Sequence, residues 1–286
     1  MSGDEVLVGY DGSPDAALAL EWALDEAGRS GRPVRLAYVF EWLTVTGWIG
    51  PGVAPGLWPD DAARRQVEEL VQRAAADAAR PGLTVTGEVY DGPPALVLQE
   101  RSAQAGLLVL GTRGHGGFGG LLAGSTAVSV TAHAHCPVVV VRGNTGGRTR
   151  HVAVGVDGSE HSLLALGFAF EQAAARNVPL RVLRAWHVPA GQRAPSDPEN
   201  QEAIRADRAE LDEPLARWER AFPDVDVTVD VSEGSAAALL VAASRDAQLV
   251  VVGTRGRGGL AGMLLGSVSQ QLLHHAHCPV AVVRER

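Results

Sequence analysis

The chain has 286 residues, 46% of them apolar and 20% charged, with a mean hydropathy of +0.04, which is the composition of a folded globular protein with enough chain for two cores. A formal net charge of -8 and a pI near 5.6 argue against an extended phosphate-backbone partner, so nucleic acid is not expected, although a local anion site stays open. All 25 basic side chains are arginine, which excludes lysine Schiff-base chemistry and the phosphate-binding lysine of a P-loop.

From the amino end, "MSGDEVLVGYDGS" carries acidic residues where a signal peptide would be basic, and no apolar run is long enough to span a bilayer. A cytoplasmic protein without a membrane partner is expected. In the first half, five apolar runs read as strands: "EVLVGY", "VRLAYVF", "LTVTGEVY", "GLLVLG" and "CPVVVVR". Between them, "PDAALALEWALDEAGRS", "DAARRQVEELVQRAAADAAR", "PALVLQERSAQ" and "STAVSVTAHAH" have helical periodicity. The stretch from 41 to 60, with Trp42, Trp48, Trp58 and many Gly and Pro, reads as a long loop suited to sticky contacts.

The second half repeats the first. "VLVGYDGS" from residue 6 returns as "VAVGVDGS" from 152, and "GTRGHGGFGGLLAGST" from 111 returns as "GTRGRGGLAGMLLGSV" from 253. The offset falls from 146 to 142, so the first copy carries four additional residues between about Glu41 and Thr84. Near-continuous Val/Leu strands alternating with helices predict two tandem α/β domains, each a doubly wound five-stranded parallel sheet with helices on both faces. The expected boundaries are 1–142 and 151–286, with "GNTGGRT" inside the linker 143–150.

Each glycine-rich loop follows a buried strand and opens a helix, which puts it at the carboxyl edge of the sheet, where ligands of open α/β folds bind. Glycines permit positive φ and close backbone approach, and the N–H groups of the next helix suit phosphate oxygens. A flexible tip or tight turn explains a single such loop equally well. "GHGGFG" fits G-x-G-x-x-G, yet it follows a late strand and no acidic residue occurs between Glu100 and Asp157, so a Rossmann site lacks its ribose-binding acid. The same acid-free stretch, with Arg113 and Arg255, predicts electropositive loop surroundings.

The pattern G-x2-G-x9-G-[ST] is met by Gly111, Gly114, Gly124 and Ser125, and again by Gly253, Gly256, Gly266 and Ser267. With the openings "VGYDGS" and "VGVDGS" and the closings "HCPVVVVR" and "HCPVAVVR", the chain resembles the universal stress protein family in its tandem, ATP-binding, actinobacterial form. The resemblance covers almost all 286 residues. It implies an adenine nucleotide alpha hydrolase-like fold and one ATP per domain, bound with Mg.

On that resemblance the strand-closing Asp11 and Asp157, with Gly9 and Gly155 before them, lie at the nucleotide. Val39 and Ala185 line the adenine side, Leu110 and Val252 the base or ribose side. Gly111, Gly114, Gly124, Ser125 and Thr126 wrap one set of phosphates; Gly253, Gly256, Gly266, Ser267 and Val268 wrap the other. The smaller Ala185, flanked by Trp186, makes the second adenine pocket different from the first. Asp11 and Asp157 equally suit a turn-forming, helix-capping role. The fifth strands are expected to pair with each other, giving a pseudo-two-fold dimer within one chain, and two chains are free to associate further.

His133, His135 and Cys136, echoed by His275, His277 and Cys278, match no zinc spacing, and the prolines that follow put them at helix-to-strand junctions. His115, replaced by Arg257 in the second copy, suggests a general cationic role only. No Ser-His-Asp set and no recurring water-activating glutamate is evident, so at most weak ATP hydrolysis is expected. The expected function is an ATP-binding sensor or regulator in stress response, acting on an unknown protein partner. A slow ATPase and a scaffold with vestigial sites built around the Trp-rich loop are the alternatives.

Overall fold

The computed structural model describes residues 5–41, 61–114, 123–143, 151–186, 198–258 and 264–285. The tryptophans 42, 48 and 58, His115 and linker residues 144–150 lie outside the described residues.

The first half runs β1 (Glu5–Gly9), α1 (Pro14–Ser30), β2 (Val34–Phe40), α2 (Asp61–Asp77), β3 (Val85–Asp91), α3 (Pro94–Ser102), β4 (Ala105–Gly111), α4 (Ser125–His133) and β5 (Val138–Val141). The second runs β6 (Val152–Gly155), α5 (Glu160–Arg176), β7 (Leu180–Trp186), α6 (Pro198–Ala209), α7 (Asp212–Ala221), β8 (Val227–Glu233), α8 (Ala236–Ala243), β9 (Leu249–Gly253), α9 (Ser267–His275) and β10 (Val280–Val283). The helix expected over 61–80 is a single helix in the first half and two in the second. Pro214 has no N–H to return to the carbonyl of Glu210, and the chain turns at Glu210 and Leu211 before resuming as α7.

Local chemistry explains the boundaries of α1 and α5. Ser13 Oγ accepts from the Ala16 N–H at 3.2 Å, Pro14 sits in the first turn, and Gly31 ends α1 in the left-handed region at φ 69°. Ser159 caps α5 in the same way, and Asn177 ends it at φ 52°.

The ten strands of the described residues form one sheet in the order β3-β2-β1-β4-β5-β10-β9-β6-β7-β8. Pairing is parallel within each half, and β5 meets β10 antiparallel through Val138 with Val282, Val139 with Ala281 and Val140 with Val280. Edges that would otherwise expose unpaired N–H and C=O groups are thereby covered. Successive strand residues point to opposite faces: Val6 and Val8 join one apolar core, filled also by α1, α2, α5 and α7, while Leu7 joins the other, filled by α3, α4, α8 and α9.

Two arginines pin the junction reciprocally. Arg142, just past β5, donates to the carbonyl of Leu273 in α9 at 2.6 Å, and Arg284, just past β10, donates to the carbonyl of Ala134 after α4 at 2.6 Å. Each satisfies the carbonyl end of a helix belonging to the other half. Burial and a neighbouring arginine, Arg113 for Arg142 and Arg255 for Arg284, hold both guanidinium pKa values below the ordinary range.

Candidate nucleotide site

The parallel strands put the carboxyl ends of β1 and β4, and of β6 and β9, side by side, so that the D-G-S turns and the glycine loops meet. In the second half this edge encloses a cavity of about 480 Å³. Gly155, Asp157, Ala185, Val252, Gly253, Gly256, Gly266, Ser267 and Val268 all line it. They come from the ends of three strands, two loops and one helix start, and only the fold makes them neighbours.

The cavity has two chemically different ends. Leu183 and Ala185 on the β7 side and Leu239 and Leu240 of α8 supply apolar wall, whereas Gly266, Ser267 and Arg255 supply polar groups. Gly266 stands at the N-cap of α9 with no side-chain cap, and the first-turn N–H groups of a helix have no acceptor within the helix itself. Leu239, Leu240, Ser162 and Ser269 also line the cavity and carry no motif of their own. Ser269 Oγ donates to the carbonyl of Gly253 at 2.9 Å, tying α9 to the end of β9.

Both loops are pinched at the base by the same backbone bond. The Gly124 N–H reaches the Thr112 carbonyl and the Gly266 N–H reaches the Thr254 carbonyl, each at 2.7 Å. The loop glycines Gly111, Gly114, Gly124, Gly253, Gly256 and Gly266 do not have positive φ, contrary to the expectation for this stretch. Close approach is what requires Gly111 and Gly253. A Cβ on Gly253 would lie 2.7 Å from the His161 backbone, and one on Gly111 would lie 2.6 Å from the Asp15 backbone. The left-handed conformation falls instead in the D-G-S turns, where Gly12 and Gly158 both have φ 82°.

Asp157 holds the turn and the loop together. Its Oδ1 accepts from the Ser159 N–H at 3.0 Å and the Ser159 hydroxyl at 2.6 Å, and its Oδ2 accepts from the Arg257 N–H at 2.7 Å. Burial alone would raise its pKa, but the bonds from Ser159, Arg257 and Ser162 outweigh it and hold the carboxyl below the ordinary value. Asp11 Oδ1 accepts from the Ser13 N–H at 3.0 Å. The aspartates build the turn, and the helix caps proper are Ser13 and Ser159.

In the first half, Gly9 packs against Leu98 and Leu110, Gly114 lies against the Asp11 carboxylate, and Gly124, Ser125 and Thr126 open α4 as their counterparts open α9. Val39 packs on the core face that holds Leu98 and Leu110. Loop residues 115–122 lie outside the described residues.

Two acids approach the loop arginines. Asp15 accepts from the Thr112 hydroxyl at 2.6 Å and from the Arg113 N–H at 3.1 Å, and its carboxylate pairs with the Arg113 side chain at 3.4 Å. In the second half Glu210 pairs with Arg257 at 2.7 Å. Both acids come from outside the acid-free stretch, because the fold places the start of α1 and the end of α6 beside the loops.

The universal stress protein family model matches the chain twice, over residues 4–142 and 148–284. The chain belongs to the universal stress protein family. It is 38% identical to a universal stress protein of Mycolicibacterium smegmatis over 288 residues, covering 98% of this chain and 97% of that one. It is 36% identical to one of Mycobacterium tuberculosis over 294 residues, covering 98% and 96%. A crystal structure of a universal stress protein from Archaeoglobus fulgidus, 19% identical, superposes with a TM-score of 0.75 over the whole of both chains and shares the fold. That fold is the adenine nucleotide alpha hydrolase-like arrangement, present here in tandem. Among the described residues, no helix is long and apolar enough to cross a membrane.

Proposed function

We propose that this universal stress protein binds an adenine nucleotide, ATP entering with Mg, at one site in each half, and that it acts as a nucleotide-dependent regulator of a protein partner in stress response. The observation that carries this reading is the second-half cavity, which joins an apolar wall of Leu183, Leu239 and Leu240 to the uncapped start of α9. A purine ring suits the first and a chain of phosphates the second. Among the described residues no cluster of His, Cys, Asp and Glu could hold a metal by itself, so Mg would arrive on the phosphates. Asp157, the one carboxylate among the described lining residues, has both oxygens engaged in hydrogen bonds, which favours binding over turnover.

The test is to heat-denature the purified, never-dialysed protein, identify the released nucleotide by ion-pair chromatography, and count moles per chain. ATP at up to two per chain supports the reading. No nucleotide, together with no thermal shift on adding Mg-ATP, overturns it.

A further inference from the structure

The second half carries an ion-pair relay whose parts the first half lacks. Pro214 splits the helix at Glu210, and the Glu210 side chain, freed from a continuous helical face, reaches two arginines. Its Oε2 accepts from Arg184 Nη2 at 2.8 Å and from Arg257 Nη2 at 2.7 Å. Arg184, on β7 beside the cavity-lining Ala185, is 3% exposed and forked onto Asp207 through Nε and Nη2. Its Nη1 is buried without a partner among the described residues.

Arg257 is the other end of the relay. Gly256 and Gly258, on either side of it, line the cavity, and its guanidinium lies against Gly158, where an added Cβ would be 2.5 Å from Nη2. The side chain is 55% exposed, so its bonds have room to rotate. In the first half the strand position of Arg184 is Tyr38, and Glu68 of α2 is paired with Arg64 on its own helix.

We propose that Glu210 is an internal competitor for the phosphate end of the second site: it holds Arg257 until the polyphosphate of a nucleotide displaces it, and Arg257 then contacts the phosphates. This rests on the nucleotide reading above. A polyphosphate carries more charge than one carboxylate and offers more acceptor oxygens, so the exchange favours the ligand. Released from Arg257, Glu210 remains with Arg184, whose unpartnered Nη1 can take its second oxygen. The two sites of the chain are therefore unequal, the second being tuned by residues outside the glycine motif.

Calorimetric titration of the full chain with Mg-ATP and with adenosine tests this in wild type, E210Q, R257Q, E210Q/R257Q and E68Q. E210Q is expected to tighten one ATP site by about two- to fivefold, the range of an exposed ion pair, and to leave adenosine unchanged. R257Q weakens ATP at that site by about tenfold, E210Q adds nothing in the R257Q background, and E68Q matches wild type. Equal tightening by E210Q with and without Arg257 would mean simple charge removal and overturns the relay. ATP binding that E210Q leaves unmoved also overturns it, while the nucleotide reading stands. No ATP uptake by wild type or E210Q overturns both.

Discussion

The carboxylate of Glu26 and the guanidinium of Arg176 meet at 2.8 Å between α1 and α5, 5% and 4% exposed, across the junction of the two halves. The other oxygen of Glu26 accepts from the Gln172 amide at 2.8 Å, and Arg176 also lies over the Trp22 ring at 5.3 Å. Glu26 and Gln172 occupy equivalent positions of the repeat, 146 residues apart. Unlike residues at like positions let a buried charge find its partner here, where two copies of the first half would set carboxylate against carboxylate.

Removing one member strands the other. E26A is expected to cost about 3–5 kcal/mol, because Arg176 stays buried without its carboxylate, whereas E26M/R176M costs far less since neither of the two buried charges is left, the nearby Arg29 being part-exposed. Urea denaturation of the full chain checks this. Equal losses in the two variants would show that the ion pair is not the source.

The reciprocal arginines make a second stability prediction. R284A leaves the Ala132 and Ala134 carbonyls without their donor and should lower stability by about 1–2 kcal/mol, with R142A similar through Leu272 and Leu273. The double variant should be additive, since the two contacts share no partner. Thermal unfolding of the three variants decides it.

Asp157 predicts a pH dependence with a definite sign. Its folded pKa lies below the ordinary 3.8, so its contribution is fully present above that value and is lost as pH falls through the lower folded one. D157N keeps the shape but turns one amide hydrogen toward either the Arg257 or the Ser159 N–H, and should cost about 1–3 kcal/mol near neutrality. The gap between wild type and D157N then narrows below about pH 4. Urea midpoints at about pH 7 and about pH 3 measure it; a constant gap would show that the ionised form is not what the hydrogen bonds favour.

Gly253→Ala sets a Cβ against the His161 backbone at 2.7 Å, where no flexible side-chain end is available to yield. Displacement of the loop base is expected to lower stability by about 1–3 kcal/mol and to abolish the thermal shift produced by Mg-ATP at the second site. Unchanged nucleotide uptake in this variant would separate the glycine motif from the binding proposed for it.

Much of the fold was legible because local chemistry and hydrophobic period agreed. Ser13-Pro14 at one end and Gly31 at the other bracket α1 over the residues its periodicity predicts, and the buried Val/Leu runs became parallel strands. The break between α6 and α7 follows from Pro214, a residue type absent from the helix of the first copy. Leu239 and Leu240 were not legible as cavity wall, since an apolar helix face reads as core until the opposing strand ends are placed.

By itself the sequence determined the duplication, the α/β alternation and the two glycine loops, because each is written in short-range spacing. Tertiary structure alone decided which charges meet those loops. Asp15 reaches Arg113 across 98 residues and Glu210 reaches Arg257 across 47, distances over which sequence spacing carries no geometric information. The physical reason is that an ion pair depends on a few ångströms of separation, which the sheet order and helix breaks set and the chain order does not.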